Sequence, residues 1–145
     1  MTLAVSLHAA NDELRNELVP INRRYPLAEL EEACRRYQRA TRRRLSFEWA
    51  LIEGVNDRPS DALELGQLAY RLRAHVNLIP LNPTPGYAVQ GTGQQQVIAF
   101  RDQLRAGGVR VTIRRNRGTD IDAACGQLRA ATQPAPVALR RSGAN

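Results

Sequence analysis

The stretch RLSFEWALI, Arg44 to Ile52, sets Leu45, Phe47, Trp49 and Leu51 at every second position and turns Glu48 the other way. Period-two alternation of this kind is a β-strand with one apolar face. What flanks it has a different period. Upstream, LAELEEACRRYQRATRR places Leu27, Leu30, Ala33, Cys34 and Tyr37 on one stripe at helical spacing. Downstream, the turn EGVNDRP ends in Pro59, a residue suited to the first position of a helix, and Ala62, Leu65, Leu68, Ala69 and Leu72 follow as the next stripe. The strand therefore sits between two amphipathic helices.

The same rhythm continues outward. LAVSLH, Leu3 to His8, reads as a short buried strand, and NDELRNEL as a short helix with Asn11 as its N-cap. Pro20 and Pro26 interrupt the chain before the longer helix. HVNLIPL is a third strand, followed by the loop NPTPGYAVQGTG. QQQVIAFRDQLRA is a helix stopped by Gly107 and Gly108, VRVTIR a fourth strand, and DIDAACGQL a last short helical turn. Strands alternating with helices predict an α/β protein with a mostly parallel sheet. Residues 1–128 form the domain, and residues 129–145, rich in Pro, Arg and small residues without periodicity, are expected to be a disordered tail.

The totals narrow the function. With 145 residues and 43% hydrophobic content the chain can bury one ordinary core. No apolar run approaches the ~20 residues of a membrane span, and the N-terminus lacks a signal-peptide pattern, so a cytoplasmic location without membrane association is expected. Two cysteines far apart, Cys34 and Cys125, form neither a disulfide framework nor a zinc pair, and no disulfide partner is expected for either. The formal charge is +7 and every basic residue is an arginine. Arginine engages phosphate with a planar fork, which points to a polyanionic partner such as nucleic acid, though ordinary surface charge gives the same total.

Four sets of residues could carry chemistry. Ser6 and His8 share parity at the end of the first strand, and Asn82 sits just past the end of the third. In open α/β and barrel folds function gathers at such ends, so the three could line one pocket; equally, they could satisfy turn and backbone groups. Cys34 lies on an apolar helical stripe and reads as packing. Cys125, between Ala124 and Gly126, follows a cluster that includes Arg114, Arg115 and Arg117. Positive charge lowers a thiol pKa, whereas Asp120 and Asp122 act in the opposite sense, leaving nucleophile and packing both open.

Three segments in order, AVSLHAANDELRNELVPINRRYP, LIPLNPTPG and RRNRGTDIDAACGQL, together resemble the C-terminal half of the RlmN/Cfr radical-SAM methyltransferases, most closely the RlmN type. The resemblance runs from about Leu3 to Leu128 and implies the C-terminal part of a partial (β/α) barrel. It implies contacts to S-adenosylmethionine from Ser6, Leu7, His8 and Asn82, and the S-methylated cysteine at Cys125. It implies methylation of C2 of adenine in large-subunit (23S) rRNA and in tRNA. Two molecules of S-adenosylmethionine are used, one methylating the cysteine and one cleaved reductively at a 4Fe–4S cluster to activate that methyl group. The cofactor carries the hard step, and protein supplies position. Arg114, Arg115 and Arg117 would hold RNA phosphates around a base extruded from its stack.

The CxxxCxxC cluster motif, the glycine–glutamate segment, the resolving cysteine and a catalytic glutamate of that family are absent from this sequence. With the strand that opens the chain so abruptly, this predicts a fragment, inactive alone, whose partner is the missing N-terminal half. A Cfr-like enzyme acting on C8 and a non-catalytic RNA-binding module are the alternatives. A self-contained enzyme using Ser6 and His8 lacks a third group to orient the histidine.

Overall fold

A computed structural model describes residues 3–81 and 91–114 of the chain. Its elements are β1 (Leu3–Ser6), α1 (Asp12–Leu18), a 3-10 helix (Pro20–Arg23), α2 (Leu27–Thr41), β2 (Leu45–Leu51), α3 (Pro59–Leu72), β3 (His75–Pro80), α4 (Gln94–Ala106) and β4 (Val111–Ile113). The four strands form one parallel sheet in the order β1-β2-β3-β4. Sequential order without reversal is the winding of a (β/α) barrel. A doubly wound sheet reverses its order at a switch point. The α/β class and the partial-barrel architecture are thus both realised.

Each helix–strand unit buries the stripe its sequence marks. Leu45, Phe47, Trp49 and Leu51 of β2 pack in one cluster with Ala62, Leu65, Leu68, Ala69 and Leu72 of α3 and Val97, Phe100 and Leu104 of α4. The Trp49 and Phe100 rings lie 6.0 Å apart between centroids, inside the range of favourable aromatic pairs. Cys34 is buried in this cluster, and burial pushes its thiol pKa up, as packing requires. The α2 stripe is narrower than its spacing predicts. Leu27 and Leu30 pack against the core only partly buried, Ala33 is exposed, and Cys34 is the one buried residue of the helix.

Helices α2, α3 and α4 pack on one face of the sheet, whereas Leu14 and Leu18 of α1 join a second cluster with Ala50, Ile52 and Leu81. By strand alternation Ser6, Ser46, Glu48, Asn77 and Thr112 face the other way. Register aligns Ser6 with Glu48, Glu48 with Asn77, and Asn77 with Thr112 in one polar row. In a barrel this is the inner face.

Helices α2 and α3 both end on an arginine in the left-handed region, Arg42 (φ 56°) and Arg73 (φ 52°). That conformation costs a residue with a Cβ roughly 1–2 kcal/mol, whereas glycine gives back about 0.4–1 kcal/mol through the unfolded chain. The first effect is larger. Arg73→Gly is therefore expected to stabilise the fold by about 0.5 kcal/mol, read as a small rise in the thermal unfolding midpoint.

Candidate cofactor-binding strand end

Strand β1 ends at Ser6, and the next two residues leave the ladder by a tight turn. Leu7 still donates its N–H to Glu48 O (2.9 Å), and Ala9 N–H then donates to Leu7 O (2.8 Å) around His8 at φ 60°. A three-residue turn with positive φ at its centre is the strained form of the γ-turn. For a histidine it persists only where the surroundings over-determine it.

They do so from two sides. Arg15, buried on α1, donates Nε–H to Leu7 O (2.9 Å) and an NH2 hydrogen to Ser6 O (3.2 Å). Its remaining fork meets Asn22 Oδ1 at 2.8 Å. Fully buried Asn22 in turn donates to Asp12 Oδ1 (3.0 Å) and Asn16 Oδ1 (2.7 Å), and Asp12 accepts the Leu27 N–H that opens α2. Hydrogen bonds from that backbone and from Asn22 lower the Asp12 pKa. From the other side Asn56, in the turn after β2, has no exposed surface. Its Nδ2 donates to His8 O (2.9 Å) and Ala50 O (2.8 Å), and its Oδ1 accepts from Ile52 N (2.8 Å). Its own carbonyl accepts from Trp49 Nε1 at 3.3 Å.

The sequence-predicted residues are placed unequally. Ser6 is exposed on the inner face, and His8, 8% exposed, accepts the Ala50 N–H at Nδ1 (3.0 Å). An accepting Nδ1 assigns the ring proton to Nε2. Leu7 is fully buried in the helix-side core, and its N–H and carbonyl are both bonded within the protein, so it anchors the segment. Arg114 continues the β3–β4 ladder through its N–H to Leu78 O (2.8 Å), and its guanidinium lies 3.6 Å from Glu48, which also accepts from Asn77 Nδ2 (2.6 Å). Asn82, Arg115, Arg117, Cys125 and the tail 129–145 lie outside the described residues. The positioning residues Arg15, Asn22 and Asn56 were not singled out by sequence reasoning. The available signals were an arginine on the buried side of α1 next to Leu18 and an asparagine between two apolar strand–helix units.

Burial first, then the nearby Arg15 charge, lowers the His8 pKa from an ordinary 6.5 to about 4. Its neutral form is required by the fold. A depressed folded-state pKa gives stability that is complete above 6.5 and lost as pH falls toward 4. Between pH 7 and pH 5 urea unfolding is expected to lose about 2 kcal/mol by this route, and His8→Gln should flatten that slope. Asp12 and Glu31, whose pKa values lie below the ordinary carboxylate value, contribute only at lower pH.

Among the described residues no group of three or more His, Cys, Asp or Glu is placed to hold a metal ion, and no helix is long and apolar enough to cross a membrane. No protein-family model matches the chain. Curated relatives do. The probable dual-specificity RNA methyltransferase RlmN of Pelotomaculum thermopropionicum is 55% identical over 130 residues, 89% of this chain and 35% of the relative. The dual-specificity RNA methyltransferase RlmN of Syntrophobacter fumaroxidans is 48% identical over 128 residues, 88% of this chain and 37% of the relative. Among solved structures, a radical SAM methyltransferase from Sphaerobacter thermophilus superposes with TM-score 0.78 at 54% identity, covering 88% of this chain and 37% of that one. A domain of a pyruvate-formate lyase-activating enzyme from Bacteroides vulgatus superposes with TM-score 0.64 over 78% of this chain and 66% of that one. At 19% identity that likeness concerns the fold alone. The chain spans about 35–41% of the length of the curated relatives it matches. Across that span the chain is similar to RlmN-type radical-SAM methyltransferases.

Proposed function

We propose that this chain supplies the C-terminal portion of a radical-SAM methyltransferase that acts on C2 of adenine in 23S rRNA and in tRNA. The observation that carries the reading is the Ser6–His8 strand end. It matches the family's cofactor segment in sequence, and two buried side chains lock it at the C-terminal edge of the sheet. The donor set fits S-adenosylmethionine: an exposed Ser6 hydroxyl and a His8 Nε2–H meet the acceptor atoms of a nucleoside. When bound, that cofactor supplies an electrophilic methyl group. Cys125 would be the nucleophile that accepts that methyl group in this reading. Ser6, His8 and Asn82 hold the cofactor, with Leu7 anchoring the segment to the core and to Glu48 O, and Arg114, Arg115 and Arg117 draw RNA phosphates toward the site.

A 4Fe–4S cluster does not fit the residues present, since two cysteines cannot provide its usual ligand set. The cluster belongs with the N-terminal half as this chain's partner in the complete enzyme, working in the cytoplasm where its RNA substrates are found. The test is a chimera joining this chain to the upstream portion of an RlmN relative, expressed in cells lacking the activity. Mass spectrometry of rRNA and tRNA nucleosides is expected to show 2-methyladenosine with the chimera and none with this chain alone. 8-Methyladenosine would assign the Cfr-type reaction instead, and no methylated product would leave an RNA-binding module.

A further inference from the structure

Three consecutive carbonyls, those of Ser6, Leu7 and His8, all accept hydrogen bonds from buried side chains: Arg15 takes the first two and Asn56 the third. Ordinary strand ends leave such groups to water or to the next turn. Here the acceptors of the segment are consumed from behind, by one group on helix α1 and one in the turn after β2. A buried guanidinium is an expensive way to do this, because desolvation disfavours its charge and lowers its pKa. Asp12 offsets part of that cost through its charge, and the Arg15 fork reaches it by hydrogen bonds only through Asn22.

We infer that Arg15 and Asn56 are positioning residues for the Ser6–His8 segment, turning its carbonyls away so that it offers hydrogen-bond donors to the acceptor atoms of a bound nucleoside. The inference rests on the proposed role of this segment in cofactor binding and adds the residues that set its polarity. Arg15 fixes the two peptide planes that flank the Leu7 Cα, those of Ser6–Leu7 and Leu7–His8, and through them the turn at His8. His8 Nδ1 is then committed to Ala50 N–H, and its ring can present only Nε2–H. Asn22 completes the device by orienting the Arg15 fork, as a partner behind a ligand does in other binding sites.

The test is the Arg15→Lys variant of the full chain, which keeps the positive charge and loses the fork. Two readouts are taken on the folded protein at pH 7: the His8 ring tautomer by nitrogen NMR, and S-adenosylmethionine affinity by calorimetry. The wild type is expected to show a single Nε2–H tautomer. Arg15→Lys is expected to show averaged ring signals and at least about tenfold weaker binding. Leu65→Ala, a core substitution remote from the turn, serves as the control: it lowers stability and is expected to leave both readouts unchanged. A folded Arg15→Lys protein with the wild-type tautomer and wild-type affinity overturns the inference. If Arg15→Lys averages the tautomer but the wild type does not bind S-adenosylmethionine, the clamp stands and the cofactor reading falls. Should Arg15→Lys fail to fold, Asn22→Ala is read the same way, since it frees the fork while leaving Arg15 in place.

Discussion

Asn56→Ala is expected to cost about 3–5 kcal/mol, enough to leave much of the chain unfolded at 37 °C. The side chain makes three hydrogen bonds, to His8 O, Ala50 O and Ile52 N, from a position with no exposed surface. Truncation strands three backbone groups, each worth roughly 1–3 kcal/mol when buried and unsatisfied. A water entering the vacated space would recover part of that loss, which keeps the sum below the simple total. A small domain holds only about 5–15 kcal/mol in all, so the loss is a large share. Asn56→Asp should be at least as damaging. It retains an acceptor for Ile52 N but replaces the donor with a carboxylate facing two carbonyls. Urea unfolding followed by tryptophan fluorescence measures both variants, since Trp49 reports directly on this turn through its bond to the Asn56 carbonyl.

The contrast with Leu65→Ala shows what the sequence made legible. Leu65 sits on a stripe whose period alone says that it is buried, and the structure buries it completely. The same holds for the alternation of β2 and for the Asn11 N-cap, whose Oδ1 accepts the Leu14 N–H at 2.8 Å. These features arise from local periodicity, so one sequence carries them. Asn56 arises from tertiary context. Its partners Ala50 and Ile52 are near in the chain, but His8 is 48 residues away, and nothing in GVND distinguishes a solvent-facing turn asparagine from a buried hub. Arg15 was concealed for a related reason. An arginine in a short helix reads as surface charge, and only the meeting of β1, α1 and the 3-10 helix converts it into a clamp. The end of β1 moved for the same cause: the strand stops at Ser6 because the turn at His8 is held by Arg15 and Asn56.

The two cysteines give the sharpest opposed expectations, and they separate packing from chemistry within one molecule. Cys34 is buried on α2 with a raised pKa, caused first by burial and then by Glu31. A protonated, enclosed thiol is a small hydrophobe. Cys34→Ser should leave methylation by the chimera unchanged and cost about 1–2 kcal/mol of stability through an inserted hydroxyl. Cys125→Ser is expected to do the reverse. A thiol ionises to a strongly nucleophilic thiolate far more readily than a hydroxyl does. A serine hydroxyl at the same position provides almost no alkoxide. The proposed carrier role then predicts a loss of adenine methylation of at least about a thousandfold, some 4 kcal/mol in barrier, with the unfolding midpoint moved little. Nucleoside mass spectrometry and thermal unfolding on the same preparations read both quantities. Retained methylation in Cys125→Ser would remove the methyl carrier from this position, whereas loss in Cys34→Ser at unchanged stability would place chemistry in a helix that the structure assigns to the core.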